Sequence, residues 1–215
     1  YEMIDDSTWE FKLRDDVTWH NGDPFTAADV KYTYERAATD ESLAENHIFK
    51  VIKEVQIIDD YTVRFATDGP YPTLLSLLSK NGSQVMPSKY IEENGLDYYL
   101  EHPIGCGPYQ FKEWVKDNVV VLERYDDYFG GTPYWDEVRF RAIPEASTRV
   151  AELLTGNVDI IVNVPTNEWD RINTEENTEM VLGNGTRIYN VIMKWNTSPT
   201  QNKQVREAVA YAIDA

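Results

Sequence analysis

Residues 102–109 read His-Pro-Ile-Gly-Cys-Gly-Pro-Tyr, with two prolines and two glycines inside six positions. Proline removes a backbone donor and fixes φ, while glycine gives up backbone order, so this stretch excludes a helix interior or a central strand. The chain must turn here on a fixed course. Patterned sequence lies on both sides: strands and helices before it, and alternation in Tyr109, Phe111, Trp114 and then Val119–Leu122 after it. The stretch reads as a crossing between two parts, 1–102 and 103–215.

In the first part, Trp9, Phe11 and Leu13 alternate with Glu10, Lys12 and Arg14, the period of a half-buried strand. Asn21-Gly22 is a tight-turn signal because both residues tolerate positive φ. Thr26 followed by Asp29 predicts a capping box, Phe25 and Val30 a hydrophobic staple, and Val30, Tyr34 and Ala37 or Ala38 an apolar stripe. The spacing predicts a helix over 27–38. A polar, mobile connection is expected over 40–46, then a hairpin turning at Asp59-Asp60 with Val51, Val55 and Ile57 facing Val63 and Phe65. Leu74–Leu78 predicts a short buried helix, and Ser88 the cap of another that ends near Gly95 and continues through 96–100.

In the second part, 109–114 and 119–123 predict paired strands around a turn at 116–118. Residues 128–135 form an aromatic loop, and Val138, Phe140 and Ala142 a further strand. A helix is expected over 145–155 with Val150, Leu153 and Leu154 inward, then a buried strand over 158–162, a helical turn over 168–172, a long strand over 187–195 and a helix over 203–214. That last helix has an apolar stripe that needs a partner, and Tyr1 begins amid polar sequence, so the 215 residues are expected to be a piece of a longer protein.

The formal net charge is −17, from 37 acidic and 20 basic residues. Nucleic acid is excluded as a partner by this balance, since phosphate recognition requires a basic face; a solvated acidic surface accounts for it. No apolar run approaches the roughly 18 residues of a membrane span. Cys106 is the sole cysteine; it lacks a flanking His or Lys and reads as a small turn residue rather than a nucleophile. The doublets Asp15-Asp16, Asp59-Asp60 and Asp126-Asp127 raise the alternative of a carboxylate hydrolase. Adjacent strand residues point to opposite faces, so a doublet alone is no acid–base pair. His20, His47 and His102 lack metal-ligand spacing, and no nucleophile-elbow, phosphate-loop or dinucleotide motif is present. No metal, no cofactor and no catalysis are expected. A scaffold or receptor-interaction domain, with the aromatic loop as its docking surface, is a further alternative; rings packed on a sheet edge would explain the same loop.

Four segments together resemble the extracellular solute-binding proteins of the peptide, dipeptide and nickel type. They are Trp9–Val30, the turn Pro103–Tyr109 with Cys106 where threonine is usual, Arg149–Asp159, and Trp195-Asn196 with Val205–Asp214. The resemblance implies a two-lobed, periplasmic-binding-protein-like α/β fold, mixed α+β, of which this chain is a truncated lobe. It implies a small extra α+β domain at 1–102, and at 103–215 the central part of the main lobe, a mixed sheet flanked by helices. It also implies a peptide or other small solute as ligand, a membrane ABC permease as partner, a monomer, and a periplasmic or extracellular location attached to the cell surface. Oligosaccharides and nickel chelates are alternative ligands on the same scaffold.

A binding protein grips its solute with aromatic faces and backbone polar groups in a cleft. Tyr189 and Asn190 are the leading candidates for cleft-facing residues, followed by Trp195 and Asn196, with Trp19, Phe49 and His47 as further ones. The competing reading makes Tyr189, Val191, Met193 and Trp195 one buried strand face, Asn196 the start of a turn, and His47 an ordinary loop residue.

Overall fold

A computed structural model describes every residue except 81, 184, 186–189, 214 and 215. The chain forms two compact units, Tyr1–Pro144 and Glu145–Ala215. The expected division near His102 falls inside the first unit.

The alternation at Trp9 and Phe11 becomes strand β2 (Thr8–Lys12), preceded by a short strand the sequence reading did not anticipate, β1 (Glu2–Asp5). The hairpin turning at Asp59-Asp60 is β3 (Ile52–Asp59) and β4 (Thr62–Thr67), giving an antiparallel sheet in the order β1-β2-β4-β3. Register explains why this sheet has a dry face. Trp9 pairs with Phe65 and Phe65 with Val55, while Phe11 pairs with Val63 and Val63 with Ile57, so two apolar rows share one side. On the other side Glu10, Arg64 and Gln56 form a polar row, where the Arg64 Nε donates to Glu10 at 2.7 Å.

Helix α1 (Ala27–Thr39) lays Ala27, Val30 and Tyr34 on this dry face. Its start is the capping box predicted from Thr26 and Asp29, and Phe25 packs against the same core. Tyr34 crosses Phe65 edge-on at 5.2 Å, and its hydroxyl donates to the Ser83 carbonyl at 2.8 Å. Burial pushes that phenol up to about 12. The expected mobile connection instead leads into a helical turn, α2 (Asn46–Phe49). Asn46 is buried and its amide donates to the Ala37 carbonyl at 3.0 Å, which pins the turn to the end of α1.

Leu74 and Leu77 close the core from α3 (Leu74–Leu78). Next come α4 (Ser88–Asn94) and α5 (Leu96–Glu101), divided by Gly95 at φ +90°. Ser88 is not the cap: Pro87 holds that place, because the Ser88 side chain is drawn to Asp29.

After the crossing, β5 (Tyr109–Val115), β6 (Val119–Arg124) and β7 (Glu137–Arg141) make an antiparallel meander. All strand pairings among the described residues are antiparallel, where a mixed sheet was expected. Short connections such as the turn around Asp117, at φ +59°, join only antiparallel neighbours. A bulge between Phe111 and Glu113 shifts the register of β5 by one residue.

The second unit holds α6 (Ala146–Leu154), a 3₁₀ turn at Thr166–Glu168, α7 (Trp169–Thr174) and α8 (Lys203–Ala212). Among its described residues Val150 and Ile172 are the buried apolar ones. Leu153 and Leu154 are only half-buried, and Ala208 and Ala212 on the predicted stripe of α8 are exposed. The strand expected at 158–162 does not form, and neither does the described part of the strand expected at 187–195. Extended backbone becomes a strand only where a neighbour takes its donors and acceptors, and no described segment pairs with either stretch. Ile160 is 83 % exposed in consequence.

Phe65→Ala, at the meeting of the two apolar rows and Tyr34, is expected to cost about 3–5 kcal/mol in urea denaturation, against under about 1.5 kcal/mol for the half-exposed Ile57→Val. Equal costs would mean that the dry face is not the core.

Candidate functional site

The turn at Asn21-Gly22 forms as the sequence predicts: Gly22 sits at φ +86° and Trp19 N–H donates to the Asp23 carbonyl at 2.8 Å. This turn, the start of α1 and the start of α4 enclose a recess of about 300 Å³. Its walls include Trp19, Pro24, Pro87 and Tyr90, and its polar groups include Thr26 and Ser88. At its rim Lys89 donates to Asp23 at 2.6 Å, and that ammonium holds the Asp23 carboxyl below its usual range.

The buried carboxylate of Asp29 forms the floor. Its Oδ2 accepts from the Thr26 amide at 2.9 Å and from the Trp19 indole at 3.2 Å. Its Oδ1 accepts from the Ser88 amide at 2.8 Å and the Ser88 hydroxyl at 2.7 Å. Four donors from three separate segments therefore meet on one side chain.

A second fastening lies beside it. His20 and Gly105 are joined twice: His20 N–H donates to the Gly105 carbonyl at 2.8 Å, and Gly105 N–H donates to His20 Nδ1 at 3.1 Å. An Nδ1 that accepts is unprotonated, so the proton sits on Nε2, which donates to the Gly107 carbonyl at 3.0 Å. Tyr125 completes the contact: its ring lies 4.9 Å from that of His20, its hydroxyl reaches Thr18 Oγ1 at 2.9 Å, and its amide donates to the Pro108 carbonyl at 3.0 Å. The proline-glycine turn is thus held against the Asn-Gly turn by a neutral imidazole. Burial pulls the His20 pKa down, against the opposing pull of the Gly107 carbonyl. Burial likewise pushes the half-buried Cys106 thiol up.

The residues singled out in the sequence are spread widely. Trp19 lines the recess but is almost wholly buried, with its indole committed to Asp29. Phe49 is sealed in the core of the first unit, so it stands as a packing residue. His47 is exposed, with Nδ1 3.0 Å from the Ala44 carbonyl. Asn190, Trp195 and Asn196 are exposed in this chain, Trp195 by 76 %. Tyr189 lies outside the described residues. Sequence reasoning passed over Ser88 as a recess residue and His20 as a fastening, since each acts on a partner far along the chain.

Asp16 pairs with Arg14, Asp59 accepts from the Tyr61 amide and Asp126 pairs with Arg124, so each doublet serves a turn or an ion pair. Among the described residues no group of three or more His, Cys, Asp or Glu is placed to hold a metal ion.

Comparison with known proteins places this geometry. The family described as bacterial extracellular solute-binding proteins, family 5 Middle, matches residues 1–215. A glutathione-binding protein, GsiB of Salmonella paratyphi A, is 28 % identical across 100 % of this chain and 42 % of its own length. The oligopeptide-binding protein AppA of Bacillus subtilis is 32 % identical across 96 % of this chain and 39 % of its own. Among solved structures, MoaA of A. tumefaciens R10 in complex with mannopinic acid superposes with a TM-score of 0.77 at 26 % identity, covering 100 % of this chain and 44 % of that one. The chain therefore spans well under half the length of the relatives it matches.

Asp29→Ala leaves the buried Trp19 indole and the buried amide and hydroxyl of Ser88 without their acceptor and is expected to cost about 3–5 kcal/mol; Ser88→Ala should cost about 1 kcal/mol. Denaturation showing Asp29→Ala within 1 kcal/mol of wild type, on the same scale, would remove the central role given to this carboxylate.

His20 gives a pH dependence whose sign follows from its lowered pKa. The unfolded chain takes up the proton first as pH falls below 6.5, so the stability His20 contributes is present above that value and is lost as pH falls towards the folded pKa. Urea titrations at about pH 7.5 and about pH 5.5 should show this loss in wild type and a smaller one in His20→Gln; parallel losses in both proteins would refute it.

Proposed function

Since the chain belongs to the bacterial extracellular solute-binding proteins of family 5, we propose that it is part of a protein that captures a peptide and delivers it to a membrane ABC permease. The observation that carries this reading is the family match over residues 1–215, joined by a relative that is an oligopeptide-binding protein at 32 % identity. In the full protein the division is a small domain at 1–102 and the central part of the main lobe at 103–215. The protein works as a monomer outside the cytoplasm, attached to the cell surface. It is a binding protein and not an enzyme.

The physical features agree with this role. A carrier must grip a solute without transforming it, and must release it, so it needs aromatic surface and satisfied polar groups rather than a poised nucleophile. The exposed ring of Trp195 and the amides of Asn190 and Asn196 are offered as ligand contacts, with Tyr189 beside them in sequence. The place of Asn190, Trp195 and Asn196 in the second unit, on backbone outside any described helix or strand, leaves their polar groups open to a ligand. Trp19 contributes indirectly, by shaping the recess wall.

The test is a thermal-shift screen of the full-length mature protein against peptide, sugar and metal-chelate libraries. A peptide at about 100 times its Kd should add about 2.7 kcal/mol of stability. Trp195→Ala should weaken that peptide about tenfold while leaving the melting temperature of the free protein unchanged. Stabilisation by sugars or chelates with none by peptides would overturn the peptide assignment.

A further inference from the structure

His20 holds the crossing turn by a nitrogen that can take up a proton. Its backbone amide donates to the Gly105 carbonyl, a bond indifferent to the charge of the ring. The other two bonds belong to the ring itself: Nδ1 accepts from the Gly105 amide at 3.1 Å, and Nε2 donates to the Gly107 carbonyl at 3.0 Å. A Cβ on Gly105 would stand 3.5 Å from His20 Cε1, so the imidazole rests directly on bare backbone. With Nε2 already carrying its proton, a second one enters at Nδ1. That proton turns the acceptor into a donor facing the Gly105 N–H and places a positive charge on a half-buried ring. The titratable groups around the ring are the Tyr125 phenol and, within the turn, the Cys106 thiol, on which the Asp29 carboxylate acts. The imidazole itself feels burial and the Gly107 carbonyl, with no carboxylate among the described residues set against its charge.

The place of this contact gives the proton its consequence. Hydrogen bonds between residues 1–102 and those that follow meet at His20 and at Tyr125, whose hydroxyl reaches Thr18 Oγ1 and donates to the Trp19 carbonyl at 3.3 Å. The core of the first part, from Trp9 to Leu77, is packed entirely by residues that precede the turn. A segment opens locally, at less cost than unfolding the whole, where few buried apolar contacts hold it. Lifting residues 103–108 gives up the three bonds to His20 and the bond from the Tyr125 amide to the Pro108 carbonyl. It leaves untouched both that core and the ladder of β5, β6 and β7.

We propose that His20 is a proton-operated latch on the crossing turn: a neutral ring fastens residues 103–108 to the Asn-Gly turn, and a protonated ring lets them lift, baring Cys106 and loosening β5–β7 from residues 1–102 while both stay folded. The latch is independent of which solute the protein carries. In the test, full-length protein is treated with a dipyridyl disulfide, which reacts with thiols in acid as well as at neutral pH. The rate at Cys106, located by peptide mass, is divided by that of a free cysteine peptide at the same pH. Wild type should react about three- to tenfold faster at about pH 5.5 than at about pH 7.5, because each pH unit between the closed-state and open-state pKa values shifts the opening equilibrium by up to about tenfold. Far-ultraviolet circular dichroism should stay native throughout, and His20→Gln should show no such rise. The midpoint of the rise should coincide with the titration of His20 followed by its imidazole NMR shifts, and where the variant does not fold this midpoint alone decides. A wild-type rate constant to within about twofold overturns the latch. So does an equal rise in His20→Gln, a midpoint away from the His20 titration, or a rise that accompanies loss of the far-ultraviolet signal.

Discussion

The first unit depends on one buried carboxylate. Asp29 closes the first turn of α1 through Thr26, fixes the Trp19 indole below the Asn-Gly turn, and holds both the amide and the hydroxyl of Ser88 at the start of α4. A buried anion is tolerated only when its oxygens are occupied by donors. Those donors come from as far as 59 residues along the chain from Asp29, so satisfying the charge and assembling the unit are the same event. A second link runs parallel to it: the Thr33 hydroxyl accepts from the Met86 amide at 2.8 Å, drawing the segment before α4 onto α1. The recess exists because these bonds set the distance between the turn and the two helix starts.

His20 extends the same logic to the crossing turn. A glycine-rich turn has little side-chain surface with which to hold its place, so it is positioned through its backbone, and a single imidazole with one donor and one acceptor nitrogen takes two of its groups. Threonine at position 106 is therefore unnecessary to fasten the turn, and the presence of Cys106 leaves this contact intact. His20 thus ties together two motifs 87 positions apart in this chain: each motif supplies half of one interlocking contact, and Tyr125 packs beside it.

Much of the first unit was legible in sequence because its signals are local. The Thr26–Asp29 box, the Asn-Gly turn, the hairpin at Asp59-Asp60 and the stop at Gly95 are each written within a few residues. What was not legible is long-range. Ser88 looks like a cap by type, and only its pairing with Asp29 moves it into the helix. Phe49 looks like a ligand aromatic and proves to be core, because composition does not reveal which rings meet Tyr34. In the second unit, the apolar runs at 158–162 and 190–195 have strand-like composition without a strand partner among the described residues. Composition reports a tendency, whereas pairing needs a second segment. The family resemblance was readable for the same reason as the local signals, since its motifs are short and contiguous.

The bulge in β5 also changes which side chains share a face of the sheet. Phe111 pairs with Leu122 and Trp114 with Val120, so two residues three apart point the same way, which an even strand would forbid. With Val138 and Phe140 aligned on β7, six apolar side chains share one side of a three-stranded sheet. The extra residue thus acts as a phase correction: it joins two stretches of sequence written in opposite frames into one surface. Removing a residue from the bulge would scarcely shorten the strand, but it would turn half of it inside out.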